Sequence, residues 1–267
     1  MTGRSVLMLL GRQPGPLSLL PAVVAHLRVA DAAVEVRVID DRADPRHATA
    51  GAAVIVIKHL ADHQLDALAT TGAPCCNPAG AALTAADRIS TWLALRRAGA
   101  PVPDARIAHS IDELRALAAV RAVVVKTARG SRGSGILHMT PAQRFVSVPL
   151  PGPWLVQERV ASDGWDRKLY VTGEEVRGVL RRWPADTLAD KLGNPMEVTA
   201  DLARVAVAAG EALGLHVYGV DVLVGPNGPT VVDVNPFPGF KGVPVAPALV
   251  AAHLLSHVRR EVPACAS

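Results

Sequence analysis

Between Tyr218 and Pro244 the chain reads YGVDVLVGPNGPTVVDVNPFPGFKGVP. Two runs of alternating apolar and polar residues flank Gly225-Pro226-Asn227-Gly228, a composition that turns a β-hairpin. A hairpin symmetric about Asn227 sets Asp221 directly opposite Asp233. Period-two alternation then puts Asn235 on the same face and Val220, Val222, Val224, Val232 and Val234 on the other. Opposed carboxylates repel each other. They coexist cheaply when one is protonated or a cation lies between them. Two carboxylates and an amide oxygen form an incomplete all-oxygen ligand set, the kind that Mg²⁺ completes with waters and a phosphate. The plainer alternative is an edge hairpin with solvated carboxylates.

Half of the 267 residues are apolar, enough for a substantial core in one to three domains. Aromatic residues make up only 3%, which argues against base stacking on single-stranded nucleic acid. The net charge of +4 comes from scattered Lys and Arg, so the expected partner is an anionic small molecule or peptide rather than a nucleic acid. Cys75, Cys76 and Cys265 cannot form a disulfide framework, and no His lies at a zinc-like spacing from them. They read as small thiols in a reducing compartment. No apolar run is long enough for a membrane span or a signal-peptide core, so a cytoplasmic protein is expected.

Taken in order, Ser5–Leu10, Val34–Ile39 and Ala53–Ile57 read as strands, with a helix over Leu17–Val29. This spacing implies a small parallel sheet whose strand ends face a ligand, which brings Arg12, Lys58 and His59 into view. A helix is expected over Leu83–Ala98, then an extended restart at Pro101 and Pro103. Strand Arg121–Thr127 carries Lys126 near its end. The loop that follows, Arg129 to Gly135, contains Ser131, Gly133 and Ser134, whose backbone and side chains suit phosphate oxygens. It lacks the Walker A spacing. Trp154–Gln157 is a further strand, and Asp166–Gly173 with Glu175–Trp183 forms a hairpin turning near Gly173-Glu174. That hairpin carries Lys168 and Arg182 toward its open end. A helix over Leu202–Leu213 ends at Gly214, and another closes the chain over Pro247–Arg260.

The strand lysine with its glycine loop, the Gln157-Glu158 hinge, the basic hairpin and the acid–acid–Asn hairpin, in this order, resemble the ATP-grasp superfamily. DRKLYVTGEEVRGVLRR is similar to the matching segment of the ribosomal-protein glutamate ligases (RimK-type). DVNPFPGFKGVP is similar to the metal strand of those ligases and of the inositol trisphosphate kinases. The resemblance implies an α+β ATP-grasp fold. Residues 1–80 would form a preceding α/β domain, 81–156 a subdomain with the phosphate loop, and 157–267 a subdomain with the metal hairpin. It also implies ATP with one or two Mg²⁺, or Mn²⁺ in their place.

By the same resemblance, Lys126 would hold the α- and β-phosphates, with Arg129 and the glycine loop covering them. Gln157 and the backbone of Glu158 and Val160 would read adenine, and Asp166 the ribose. Lys168 and Arg182 would be the catalytic cations, meeting the triphosphate and its developing charge. Asp221, Asp233 and Asn235 would hold the metal.

Some positions depart from the ligase pattern. Arg88 stands where a lysine is usual, Lys168 where the ligases carry Arg, and Asp233 where many use Glu. The Arg-Ser-Asn or Arg-Thr-Asn signature is missing, and Pro184–Pro195 stands in its place with Lys191 and Asn194 as candidate substitutes. The implied activity is a carboxylate–amine ligase working through an acyl phosphate. The alternatives are a small-molecule kinase and a non-catalytic nucleotide sensor. A homodimer is a further expectation.

Overall fold

The computed structural model describes residues 5–130, 135–141, 150–182 and 187–260. The first sheet contains β1 (Ser5–Leu10), β2 (Ala33–Val38), β3 (Val54–Lys58) and β4 (Cys75–Cys76), all parallel, in the order β2-β1-β3-β4. Helices α1 (Leu20–Val29) and α2 (Asp62–Ala69) connect them. β1 is apolar without alternation because both of its faces are covered. Met8 and Leu10 meet Val23 and Leu27 of α1, while Leu7 and Leu9 meet Leu65 and Leu68 of α2.

The expected single helix over Leu83–Ala98 is two helices, α3 (Ala79–Ala86) and α4 (Arg88–Arg97). Asp87 breaks them. Its backbone is extended at φ −105° and ψ 117°, and its carboxylate accepts from the Ser90 N–H at 2.7 Å. A short acidic side chain that caps the second helix this way competes with continuing the first.

The second sheet is antiparallel, in the order β5-β8-β6-β7: β5 (Ala105–Ala108), β6 (Val123–Thr127), β7 (Ile136–Met139) and β8 (Trp154–Glu158). Helix α5 (Ile111–Val120) covers one face, packing Leu114 and Ala118 on Val123, Val125 and Val156. The other face carries Lys126, Leu155 and Gln157 into a cleft. The expected division at residues 156 and 157 falls inside β8.

The third sheet, also antiparallel, runs β11-β10-β9-β12-β13. Its strands are β9 (Trp165–Thr172), β10 (Glu175–Arg182), β11 (Asn194–Met196), β12 (Val217–Gly225) and β13 (Gly228–Pro236). Between them lie α6 (Leu188–Leu192) and α7 (Ala200–Leu213), and α8 (Ala246–Arg260) follows. Gly214 ends α7 in the left-handed conformation, φ 67°. One face of this sheet, with Leu169, Val171, Val220, Val222, Val231 and Val234, buries against the apolar stripe of α7. The opposite face is therefore the one left for polar chemistry. Helix α8 returns to the first sheet, where Val250, Leu254 and Val258 join the core of β1 and α1. No helix among the described residues is long and apolar enough to cross a membrane.

Candidate active site

Asp221 pairs with Asp233, as the symmetric hairpin requires, but the path to that register differs. The turn is tighter than assumed, with Gly225 opposite Gly228. A β-bulge at Val232 then inserts one residue and restores the register at the carboxylates. The bulge also exchanges two valines. Val231, rather than the expected Val232, enters the core under α7. Val232 instead faces the cleft, and its carbonyl accepts from Lys126 Nζ at 2.7 Å. The lysine of the second sheet thus spans the cleft to the bulge of the third.

The polar face of the third sheet follows from its registers. Asp221 lies opposite Lys168, which lies opposite Val179, and Asp166 lies opposite Arg181. Counting from the β9–β10 turn, Asp166, Lys168 and Arg181 share one face. Arg182, the expected catalytic arginine, pairs with Trp165 and is exposed on the other face. Arg181 is the arginine on the face of Asp166 and Lys168: its guanidinium pairs with Asp166 and stands 3.5 Å from Asp221, while Lys168 pairs with Asp221. Burial and the Asp221 charge push the Asp166 carboxyl up to about 6 against the pull of Arg181. Burial pulls the Lys126 ammonium down, opposed by Asp233 and Asp221.

Asn235 donates to Asp233 at 3.2 Å, so the three expected metal ligands form one group on one face. Asp166 Oδ1 is buried without a hydrogen-bond partner, whereas Asp221 Oδ1 is held by Lys168 and Arg181. A hard divalent cation suits this set, because two opposed carboxylates and an amide oxygen on one face are an all-oxygen ligand set.

The other expected residues divide by location. Arg88, Gln157, Lys126, Val232 and Asp233 line one cleft. Arg88 reaches the carbonyls of Thr127 and Gly135 at 3.3 and 3.4 Å. Glu158 turns its carboxylate outward to Arg121 at 2.7 Å and gives its N–H to the Asp104 carbonyl; Val160 is half-buried beyond it. Arg129 points away from the cleft, pairing with Asp62 at 2.8 Å and Asp87 at 3.8 Å. Ser131, Gly133, Ser134 and the side chain of Lys191 lie outside the described residues. Asn194 starts the edge strand β11, exposed.

Arg12, Lys58 and His59 do converge, at the carboxyl ends of β1 and β3. Arg12 Nη2 is 3.3 Å from the His59 ring, and Lys58 donates to the Phe237 carbonyl and lies 5.2 Å from its ring centroid. Gly11 permits this approach, since a Cβ there would sit 1.9 Å from the His59 carbonyl oxygen. Burial, helped by Arg12, pulls the Lys58 ammonium down to about 8, from 10.5. The folded state therefore sheds this proton before the unfolded chain does, and stability from this group rises between pH 8 and 10.5. Lys58→Met is expected to remove that rise, so wild-type stability climbs relative to the variant over the same window in pH-dependent urea melts. A constant gap would contradict the buried, charged lysine.

Residues 85–256 match the RimK-like ATP-grasp domain. A probable alpha-L-glutamate ligase of Sodalis glossinidius is 32% identical over 199 residues, covering 69% of this chain and 67% of that protein. A RimK domain ATP-grasp protein of Sphaerobacter thermophilus superposes with TM-score 0.71 at 19% identity, over 95% of this chain and 99% of that one. The ATP-grasp ligase PsnB, solved with a minimal precursor, Mg and ADP, has TM-score 0.71 at 16% identity, over 95% and 97%. These relatives favour ligation over the kinase and sensor alternatives. An α+β fold with one parallel and two antiparallel sheets, and a cleft where lysines face paired aspartates, belongs to a chain of the RimK-like ATP-grasp family, a carboxylate–amine ligase that uses ATP and a divalent metal.

Proposed function

We propose that this chain joins L-glutamate to a peptide or small-molecule partner, activating a carboxylate as an acyl phosphate. The γ-phosphoryl group passes from ATP to a carboxylate oxygen, ADP leaves, and an amine displaces phosphate to give the amide. The protein's contribution is positioning and charge neutralisation. One observation carries the reading: Lys168, Arg181 and the Asp221–Asp233–Asn235 group occupy one face, and Lys126 reaches it from the opposite sheet.

In this reading Asp221, Asp233 and Asn235 hold one or two Mg²⁺, with Mn²⁺ able to substitute. When bound, the metal neutralises the β- and γ-phosphate charge. Lys126 leaves the Val232 carbonyl for the α- and β-phosphates, and Arg88 closes on the same oxygens. Gln157, Glu158 and Val160 border the adenine and Asp166 the ribose. Lys168 and Arg181 meet the developing charge. The loop that begins at Arg129 and carries Ser131, Gly133 and Ser134 is assigned to the triphosphate by its composition; Arg129 would have to leave Asp62 and Asp87 to join it.

The acceptor enters through a wider groove of about 340 Å³ between Leu17 and Leu19 on one side and Phe240 and Lys241 on the other. Arg12, Lys58 and His59, gathered at the carboxyl ends of β1 and β3, suit an anionic substrate.

Hydroxylamine tests the reading, because it traps an acyl phosphate as a hydroxamate. With ATP, Mg²⁺, L-glutamate and a panel of peptides ending in glutamate, the expected products are a hydroxamate and one equivalent each of ADP and phosphate. ADP formed with a stable phosphate ester and no hydroxamate contradicts it.

A further inference from the structure

Outside the cleft, Cys76 meets two histidines that no sequence spacing connects to it. His253 and His257 stand four residues apart on α8, so they project from one face of that helix. One ligating atom from each, with Cys76 Sγ, forms a set lying within 4.8 Å of one another. His253 Nε2 and His257 Nε2 are 3.2 Å apart. Two nitrogens bound tetrahedrally to one zinc ion at about 2.0–2.1 Å are separated by roughly 3.3 Å, so the pair is already at coordination spacing.

The surroundings are built around these rings. Gly173 packs on His253, where a Cβ would come within 2.9 Å of Nδ1, so that nitrogen faces backbone and Nε2 faces His257. His216 stacks on His257, with centroids 5.7 Å apart and planes 10° apart, and gives its carbonyl to the Gly173 N–H. Three parts of the chain meet here: the end of β4, the β9–β10 turn with the start of β12, and α8.

We propose that Cys76, His253 and His257 form a zinc site that fastens the end of β4, in the first sheet, to α8. One thiolate and two imidazoles are the borderline-soft ligands that zinc takes in tetrahedral sites. Both histidines are half-exposed, so water completes the fourth position. Binding takes Cys76 as the thiolate, with the thiol proton released to solvent, and takes both histidines as neutral imidazoles. Burial holds that thiol high, at about 12, in the metal-free protein, and the ion is what draws the proton off. The site is separate from the cleft: it adjoins Val217, four residues from Asp221 along β12, roughly 13 Å away.

The test uses full-length protein stripped with a chelator and held in excess Mg²⁺, which occupies the oxygen ligands. Titration with Co²⁺ is expected to give one equivalent bound, a thiolate-to-cobalt charge-transfer band and tetrahedral visible bands. Zn²⁺ is expected to abolish these bands and raise Tm. His257→Gln should weaken Co²⁺ binding roughly tenfold or more. Cys75→Ser should leave the charge-transfer band in place, and Cys76→Ser should remove it. A folded wild-type protein that shows no thiolate band overturns the proposal without recourse to any variant. So does a band that is unchanged in His257→Gln.

Discussion

Asp233→Ala is expected to lower ATP turnover about a thousandfold while leaving the fold at least as stable as wild type. The two effects have one origin. Asp233 sits directly opposite Asp221 on the neighbouring strand, so in the proposed reading its carboxylate is both a metal ligand and a source of repulsion. Removing it breaks the ligand set and relieves the repulsion. It also takes away the charge that most favours a protonated Lys126, so the lysine that meets the phosphates is further depressed. ADP release at saturating Mg²⁺ measures the first effect and thermal unfolding the second. Turnover within a few-fold of wild type would remove Asp233 from the metal site.

Arg181→Met is expected to destabilise the fold by roughly 3–5 kcal/mol, because it strands Asp166 as a buried carboxylate without its partner. It should also cost turnover about a hundredfold, since the same guanidinium stands over Asp221. Arg182→Met should change stability by less than about 0.5 kcal/mol, as an exposed side chain on the other face of β10. Adding Asp166→Asn to Arg181→Met should recover stability and leave turnover low. That split separates the electrostatic role of the network from its part in the reaction. Urea unfolding and steady-state assays of the four proteins suffice. Equal effects of the two arginine variants would take Arg181 off the reactive face of the sheet.

The same pair of arginines shows what could be read from the chain and what could not. The β9–β10 turn at Gly173-Glu174 was legible, and counting back from it pairs Asp166 with Arg181, so the arginine that shares a face with Asp166 and Lys168 was available from register alone. The metal hairpin was legible because its carboxylates and valines alternate without interruption. The bulge at Val232 was not, since a tighter turn and an extra residue cancel and leave the outer register unchanged. Nothing local marks the Lys126–Val232 contact, which joins residues 106 positions apart across two sheets. Asp87 was a readable stop: an acidic residue at a helix start caps the next helix, and the apolar run around it concealed this. The Cys76 cluster was invisible for a different reason. Its ligands come from both ends of the chain and meet only because α8 returns to the first sheet.

The most direct test of acyl-phosphate ligation follows an oxygen atom. The carboxylate that supports ADP release is enriched in oxygen-18 and incubated with enzyme, ATP, Mg²⁺ and the amine. The phosphate formed is then read by phosphorus NMR, where the heavy oxygen shifts the resonance. Activation as an acyl phosphate predicts one oxygen-18 in each phosphate, matched to one amide. Unlabelled phosphate, or a γ-phosphorus that ends in a stable ester, would contradict it.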